Sequence, residues 1–350
     1  MIANKLIKAL ATKPETIVGL DPENAKWILT SLTFNSLNDL EKAYPEFQDS
    51  FYSTASQAYP NFTDHLVFES LRTNMRSCQF FDFGFIGNET IKLECFTGAE
   101  AFYEGFINLP ANLCFMEHVW KCDQEDLLDD AKTIAASPCN HTNDLLSQQL
   151  AFYQELQSTQ PLSIHSGYLF YKSICPNTKE PSIVATEFMS PVSGPDRFYW
   201  NGVILGLDYE STEAKIAGEA NEYRCFVHSN VFDMPIQPNH MFDPLMTMLG
   251  RLNAQGVERI SVDPPEKVNV RRRKRGLPEL VKYTTVKIAP YRPPLGRSGT
   301  RELDSYTPKR YHFRRGHVRH FHNGEKTWVR PCFVGTPEDG KVEHTYVVQQ

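Results

Sequence analysis

Seven side chains that handle protons and phosphates fall within eleven residues near the C-terminus: His312, Arg314, Arg315, His317, Arg319, His320 and His322. A guanidinium offers a planar two-toothed fork to phosphate oxygens. An imidazole takes up or gives away a proton near neutral pH. Together these groups suit three chemistries. The first is contact with phosphates and bases without reaction. The second is metal-free RNA cleavage with His312 and His317 as the candidates, in which a His removes the 2′-hydroxyl proton and another His or a Lys protonates the leaving oxygen. Arg314 or Arg315 then neutralises the phosphorane. The third is a zinc site drawn from His312, His317, His320 or His322 with Cys332. Its His spacing fits no established zinc pattern, and the neighbouring arginines oppose a dication. A structural role, with the arginines paired to acids elsewhere, is the fourth reading. On one continuous strand over 312–322, His312, Arg314, His320 and His322 would share a face, and Arg315, His317 and Arg319 the other, beside Phe313 and Phe321.

A second cationic feature precedes this block. Arg271, Arg272, Arg273, Lys274 and Arg275 are consecutive. Five adjacent cations repel one another and cannot enter a core, so they lie in solvent or against an anion. The plain reading is a solvated loop. The functional one is phosphate contact, which releases counterions and makes binding steeply salt-dependent. The residues expected to face DNA or RNA are these five with Arg314, Arg315, Arg319, His320 and Trp328.

The rest of the chain offers less. Glu117 and His118 are adjacent, but neighbours on a strand point to opposite faces. No phosphate-cradling Gly-Lys loop, dinucleotide fingerprint, nucleophile elbow or HExxH motif is present, so no cofactor and no metal is implied. Eight cysteines without paired short spacings, in a chain lacking a secretion-type leader, read as reduced core thiols. The opening MIANKLIKALATKPET lacks the apolar centre of a signal peptide, and no apolar run is long enough to span a bilayer. A cytoplasmic protein that does not enter membranes is expected.

Charge is divided sharply along the chain. Residues 266–330 hold 18 Lys/Arg against 5 Asp/Glu, whereas the other 285 residues hold 18 basic and 37 acidic side chains. Such asymmetry speaks to partners rather than to fold.

The elements that must position these groups follow from periodicity. Ile2, Leu6, Ile7 and Leu10 fit one face of a short helix. A second begins at Asp21, with Pro22 in the first turn. QFFDFGFIG, TIKLECF and FINL read as strands, and 123–160 as two acidic helices. GYLFYKSIC, SIVATEFMS, FYWNGVILGL and YRCFVHSNVF suggest an antiparallel sheet. A helix at MFDPLMTMLGRLNAQG is expected to stop at Gly256. VKYTTVKIAPY is strand-like, and Asn323-Gly324 marks a hairpin turn. The whole is an α+β chain, with an acidic body over 1–263 and a basic, β-rich segment over 264–350. The apolar pieces of that segment can complete the body's sheet.

The strings NVRRRKRGLPELVKYTTVKI, YHFRRGHVRHFHNGEKTWVRPCFVG and KVEHTYVV carry a resemblance. They are similar to an uncharacterised family of tailed-phage and prophage proteins with a His-x-Arg-Arg-Gly-His-x-Arg block followed by a Trp-Val pair. The matching positions include Asn269, Arg271, Lys274, Gly276, Leu280, Tyr283, His312, Arg314, Arg315, Gly316, His317, Arg319, Gly324, Trp328, Val329, Gly335 and Tyr346. Leu109, Pro110 and Glu117 match a shorter signature. The step after Gly276 departs from the family pattern, reading Leu-Pro-Glu-Leu in place of Pro-Pro-Leu. The resemblance implies a viral product acting in a bacterial cytoplasm. It leaves a non-enzymatic inhibitor of a host protein beside the nucleic-acid reading.

Overall fold

A computed structural model describes residues 1–20, 22–33, 78–87, 90–91, 98, 101–102, 105–122, 162–174, 181–193, 197–206, 225–226, 239–288, 310–314, 316–334 and 336–341. The chain divides into two compact units. The first comprises Met1–Thr90, Leu109–Phe242 and Ser261–Thr285; the second comprises Ile91–Asn108, Asp243–Ile260 and Val286–Gln350. The run at 271–275 therefore belongs to the first unit, and the His/Arg block to the second.

The class is α+β, as the periodicity indicates. The elements are helix α1 (Ile2–Thr12), strand β1 (Ile17–Val18), helix α2 (Pro22–Thr33) and strands β2 (Gln79–Phe85), β3 (Leu113–Cys122), β4 (Leu162–Ile174), β5 (Pro181–Pro191), β6 (Phe198–Gly206) and β7 (Cys225–Phe226). Helix α3 (Asn239–Leu252), strand β8 (Val257–Val262), helix α4 (Glu266–Lys274) and strand β9 (Tyr283–Ile288) follow. The chain then runs through β10 (Arg310–Arg314), β11 (His317–His320), β12 (Lys326–Val329), β13 (Cys332–Val334) and β14 (Thr336–Lys341). The main sheet has nine strands in the order β1-β6-β5-β4-β3-β2-β9-β8, with β7 beside β6. Strands β4 to β7 pair antiparallel, as expected, and β3 joins β4 in the same sense. The flanks are parallel instead, β2 with both β3 and β9, and β1 with β6. Strand β9 comes from the basic segment and pairs Thr284 and Thr285 with Phe81 and Asp82.

The core of the first unit lies between this sheet and the two N-terminal helices. Helix α1 buries Ile2, Ala3, Leu6, Ile7 and Leu10, the stripe that its spacing predicts. Helix α2 adds Ala25, Ile28, Leu29 and Leu32. The sheet face beneath supplies Phe80, Leu113, Phe115, Leu169, Phe188 and Trp200. Each Leu, Ile or Phe among them contributes about 1.5–3 kcal/mol by leaving water. In the second unit, α3 buries Leu245, Met246, Met248, Leu249 and Leu252. Gly98 lies so close that an added Cβ would overlap the Met246 carbonyl.

Three sequence readings are corrected. Thr90 and Ile91, read as the start of a strand, are helical. FINL is not a strand: Phe106 and Gly105 donate backwards to the carbonyls of Ala101 and Phe102, with Gly105 at φ 75°, which is a helix-ending motif. Finally, 312–322 is not one strand. It breaks between β10 and β11, which belong to different sheets, so the alternation expected across it does not hold. The two acidic helices expected over 123–160 lie outside the described residues, as do most of YRCFVHSNVF and KVEHTYVV. Among the described residues no helix is long and apolar enough to cross a membrane.

Candidate nucleic-acid interface

The run at 271–275 is the last turn of a helix and its cap, not a loop. Helix α4 starts after Pro265, carries Glu266 in its first turn and ends with four cations in its last. Both ends suit the helix dipole, which favours acids at the N-terminus and bases at the C-terminus. Its closure is built from backbone: Gly276 donates to Arg273 at 3.0 Å and Leu277 to Arg272 at 3.0 Å. Gly276 sits at φ 65°, a conformation that glycine adopts without a Cβ penalty.

At 100° per residue, α4 divides its charges among faces. Lys267, Arg271, Lys274 and Arg275 fall within an arc of about 100°, and all four are exposed. None of them pairs with an acid among the described residues. Arg273 projects elsewhere and is held by Glu266 at 2.7 Å and Glu279 at 2.8 Å. Arg272 turns onto the following loop, its Nε donating to the Pro278 carbonyl at 2.6 Å. Asn269 lies nearly opposite the four-cation stripe and is buried. Its side chain donates to the Leu280 carbonyl at 3.2 Å and accepts the Leu280 N–H at 2.8 Å. The loop is tied further to α1, where Asn4 Oδ1 accepts the Val281 N–H at 2.9 Å. The basic helix is thus anchored on its inner side and free to meet an anion on its outer side.

The His/Arg block splits in the second unit. His312 lies on β10 opposite Val334, and Arg314 opposite Cys332. Arg314 is exposed, while Arg315 is outside the described residues. His317 and Arg319 lie on β11, paired with Val329 and Thr327 of β12. They share one face of this hairpin, and both are exposed. The opposite face carries Val318, which is buried, across from the half-buried Trp328. His320 is exposed on that side at the hairpin's end, across from Lys326. The structure therefore brings His317 and Arg319 together. It sets His312 in a different sheet from His317.

Sequence reasoning set aside Glu117 and His118, which do point to opposite faces of β3. Each, however, meets partners from other elements. The Glu117 carboxylate accepts the N–H of Ile2 at 3.1 Å and of Ala3 at 3.0 Å, and the Met1 ammonium lies 4.0 Å away. It thereby caps α1, which has no side-chain cap of its own. Burial pushes the Glu117 carboxyl up to about 7, although the two N–H donors and the ammonium pull downward; Asp82, its neighbour on β2, adds to the rise. On the other face the His118 ring stacks on Tyr168 at 5.8 Å. Burial and the hydrogen-bonded Glu187 carboxylate hold the Tyr168 phenol well above its ordinary range. Trp120 donates to Ser166 at 2.9 Å. His118, Ser166, Tyr168 and Glu187 are all buried, so they serve the packing of the sheet rather than meeting a macromolecule. The signal for both clusters was a run of polar residues inside otherwise apolar strands. Only the register shows which partners they reach.

Compared with known proteins, the chain matches no family model, no curated protein and no solved structure.

Proposed function

We propose that the protein binds nucleic acid through the outer face of α4. One observation carries this reading: three exposed cations on one face of a nine-residue helix, continued by a fourth at its cap, with no acidic partner among the described residues. The helix dipole accounts for cations in the last turn, at roughly 0.3–1 kcal/mol each. It does not account for their lining up with Lys267, a full turn earlier, on the side away from the buried Asn269. A row of Lys and Arg about 12 Å long offers several phosphates contact at once. The acidic remainder of the chain repels a polyanion elsewhere and so favours one orientation of approach. With the C-terminal motif that resembles tailed-phage proteins, the reading extends to a phage-type nucleic-acid-binding protein working in a bacterial cytoplasm.

The test is fluorescence anisotropy of a labelled oligonucleotide titrated with the full chain between about 50 and 200 mM salt. The proposal expects affinity to fall by an order of magnitude or more over that range. Affinity that stays flat, or no binding at the lower salt, would refute it.

A further inference from the structure

The β11–β12 hairpin carries an arrangement that phosphate contact alone does not require. Its connection is short and fixed. Phe321 donates to the Glu325 carbonyl at 2.9 Å, and Gly324 to the Phe321 carbonyl at 3.0 Å. Asn323 Oδ1 accepts the Glu325 N–H at 3.1 Å. Gly324 takes φ 83°, as the Asn-Gly pair leads one to expect. These bonds hold Phe321 rigidly at the tip of the hairpin. Its ring is nevertheless 40% exposed, although the hairpin has a packing side on which Val318 is only 7% exposed. The Arg319 guanidinium lies over the Phe321 ring, 5.1 Å from its centroid. An aromatic and a cationic group thus lie in contact distance of a cation–π pair, and both are presented to solvent. His317, His320, His322, Lys326 and Arg330 of the same segment are exposed as well, and Glu325 is the one acid between 316 and 330.

We infer that this hairpin is a stacking platform for unpaired bases, and that the nucleic acid bound is single-stranded. The inference rests on the nucleic-acid reading above and narrows it. In a duplex the base faces are occupied by neighbouring pairs, so a ring and a guanidinium plane at a hairpin tip find only the sugar-phosphate edge. In a single strand each base has a free face, and stacking on Phe or Arg is available whatever the sequence. Lys326 and Arg330, exposed in the same segment, supply charge for flanking phosphates. No base-edge reading is needed, so preference among sequences is weak and preference for strandedness is strong.

The experiment compares a labelled mixed-sequence single strand of about 16 nucleotides with its own duplex, using the full chain at one salt concentration. The single strand is expected to bind about tenfold tighter or more. Phe321→Leu, which keeps apolar bulk but removes the ring, is expected to weaken single-strand binding about tenfold and leave duplex binding unchanged. Phe321→Tyr keeps the ring and retains the affinity. Arg319→Lys keeps the charge but loses the plane, and weakens the single strand alone. Equal or tighter binding of the duplex would overturn the inference. So would a Phe321→Leu protein indistinguishable from the parent. Either result leaves nucleic-acid binding itself standing. Failure of both oligonucleotides to bind overturns the two readings together.

Discussion

The side-chain amide of Asn269 closes two hydrogen bonds on the backbone of Leu280, donating to its carbonyl at 3.2 Å and accepting its N–H at 2.8 Å. A side-chain amide can do both at once, its NH2 donating while its oxygen accepts. This one ties the loop following α4 back onto the helix, on the side away from the exposed Lys267, Arg271, Lys274 and Arg275. The orientation of the basic stripe therefore depends on a buried polar residue rather than on an apolar face.

Asn269→Ala leaves the Leu280 N–H and carbonyl without their partner, at a cost of about 1–3 kcal/mol. Urea denaturation should show that loss, and Asn269→Asp, which keeps the acceptor but not the donor, should not restore full stability. Equal midpoints for Asn269→Ala and the parent would show that the loop is held by other contacts.

Glu117 makes a prediction about pH. Its carboxyl ordinarily titrates at 4.5 and is pushed up to about 7 by burial. Between these values the folded protein keeps a proton that the unfolded chain has released. The contribution of this group is thus complete below about 4.5 and lost as pH rises through about 7, on the order of 1–3 kcal/mol. Glu117→Gln offers one carbonyl oxygen to two N–H donors, a cost that does not vary with pH. Unfolding free energies measured at pH 5 and pH 8 should fall more for the parent than for the variant. Parallel changes in the two proteins would rule out titration at this site.

Gly167 faces Glu117 across the β3–β4 pair. A Cβ there would lie 2.6 Å from the Phe115 ring and 3.2 Å from the Ile2 side chain. Phe115 is fully enclosed and cannot swing away, so Gly167→Ala should overpack the junction of α1 with the sheet, costing about 1–3 kcal/mol. A denaturation midpoint unchanged from the parent would mean that α1 shifts freely over the sheet.

Most of the regular scaffold was legible in the sequence. The stripe of α1, the Pro22 start of α2, strands β2 to β6 and the Asn323-Gly324 hairpin follow from period, caps and turn chemistry. Parallel pairing on the sheet's flanks was not legible, because strand periodicity carries no direction. Helix α4 was missed for a different reason. Its inward residue is Asn269, so no apolar stripe announces it. The usable signs were Glu266 after two prolines and a cationic last turn closed by Gly276. The break between β10 and β11 was hidden because His and Arg alternate through it without a change of character. The capping role of Glu117 joins residues 115 positions apart, and only the tertiary fold supplies that pairing.

The central claim is that phosphates meet the stripe Lys267, Arg271, Lys274 and Arg275, and its most direct test is the slope of log affinity against log salt. Replacing all four by alanine should reduce that slope by about 3, because each phosphate contact contributes roughly 0.7–0.9. Arg273→Ala, which removes a cation already paired with Glu266 and Glu279, should leave the slope where it is. A four-alanine protein with the parent's slope would contradict the account.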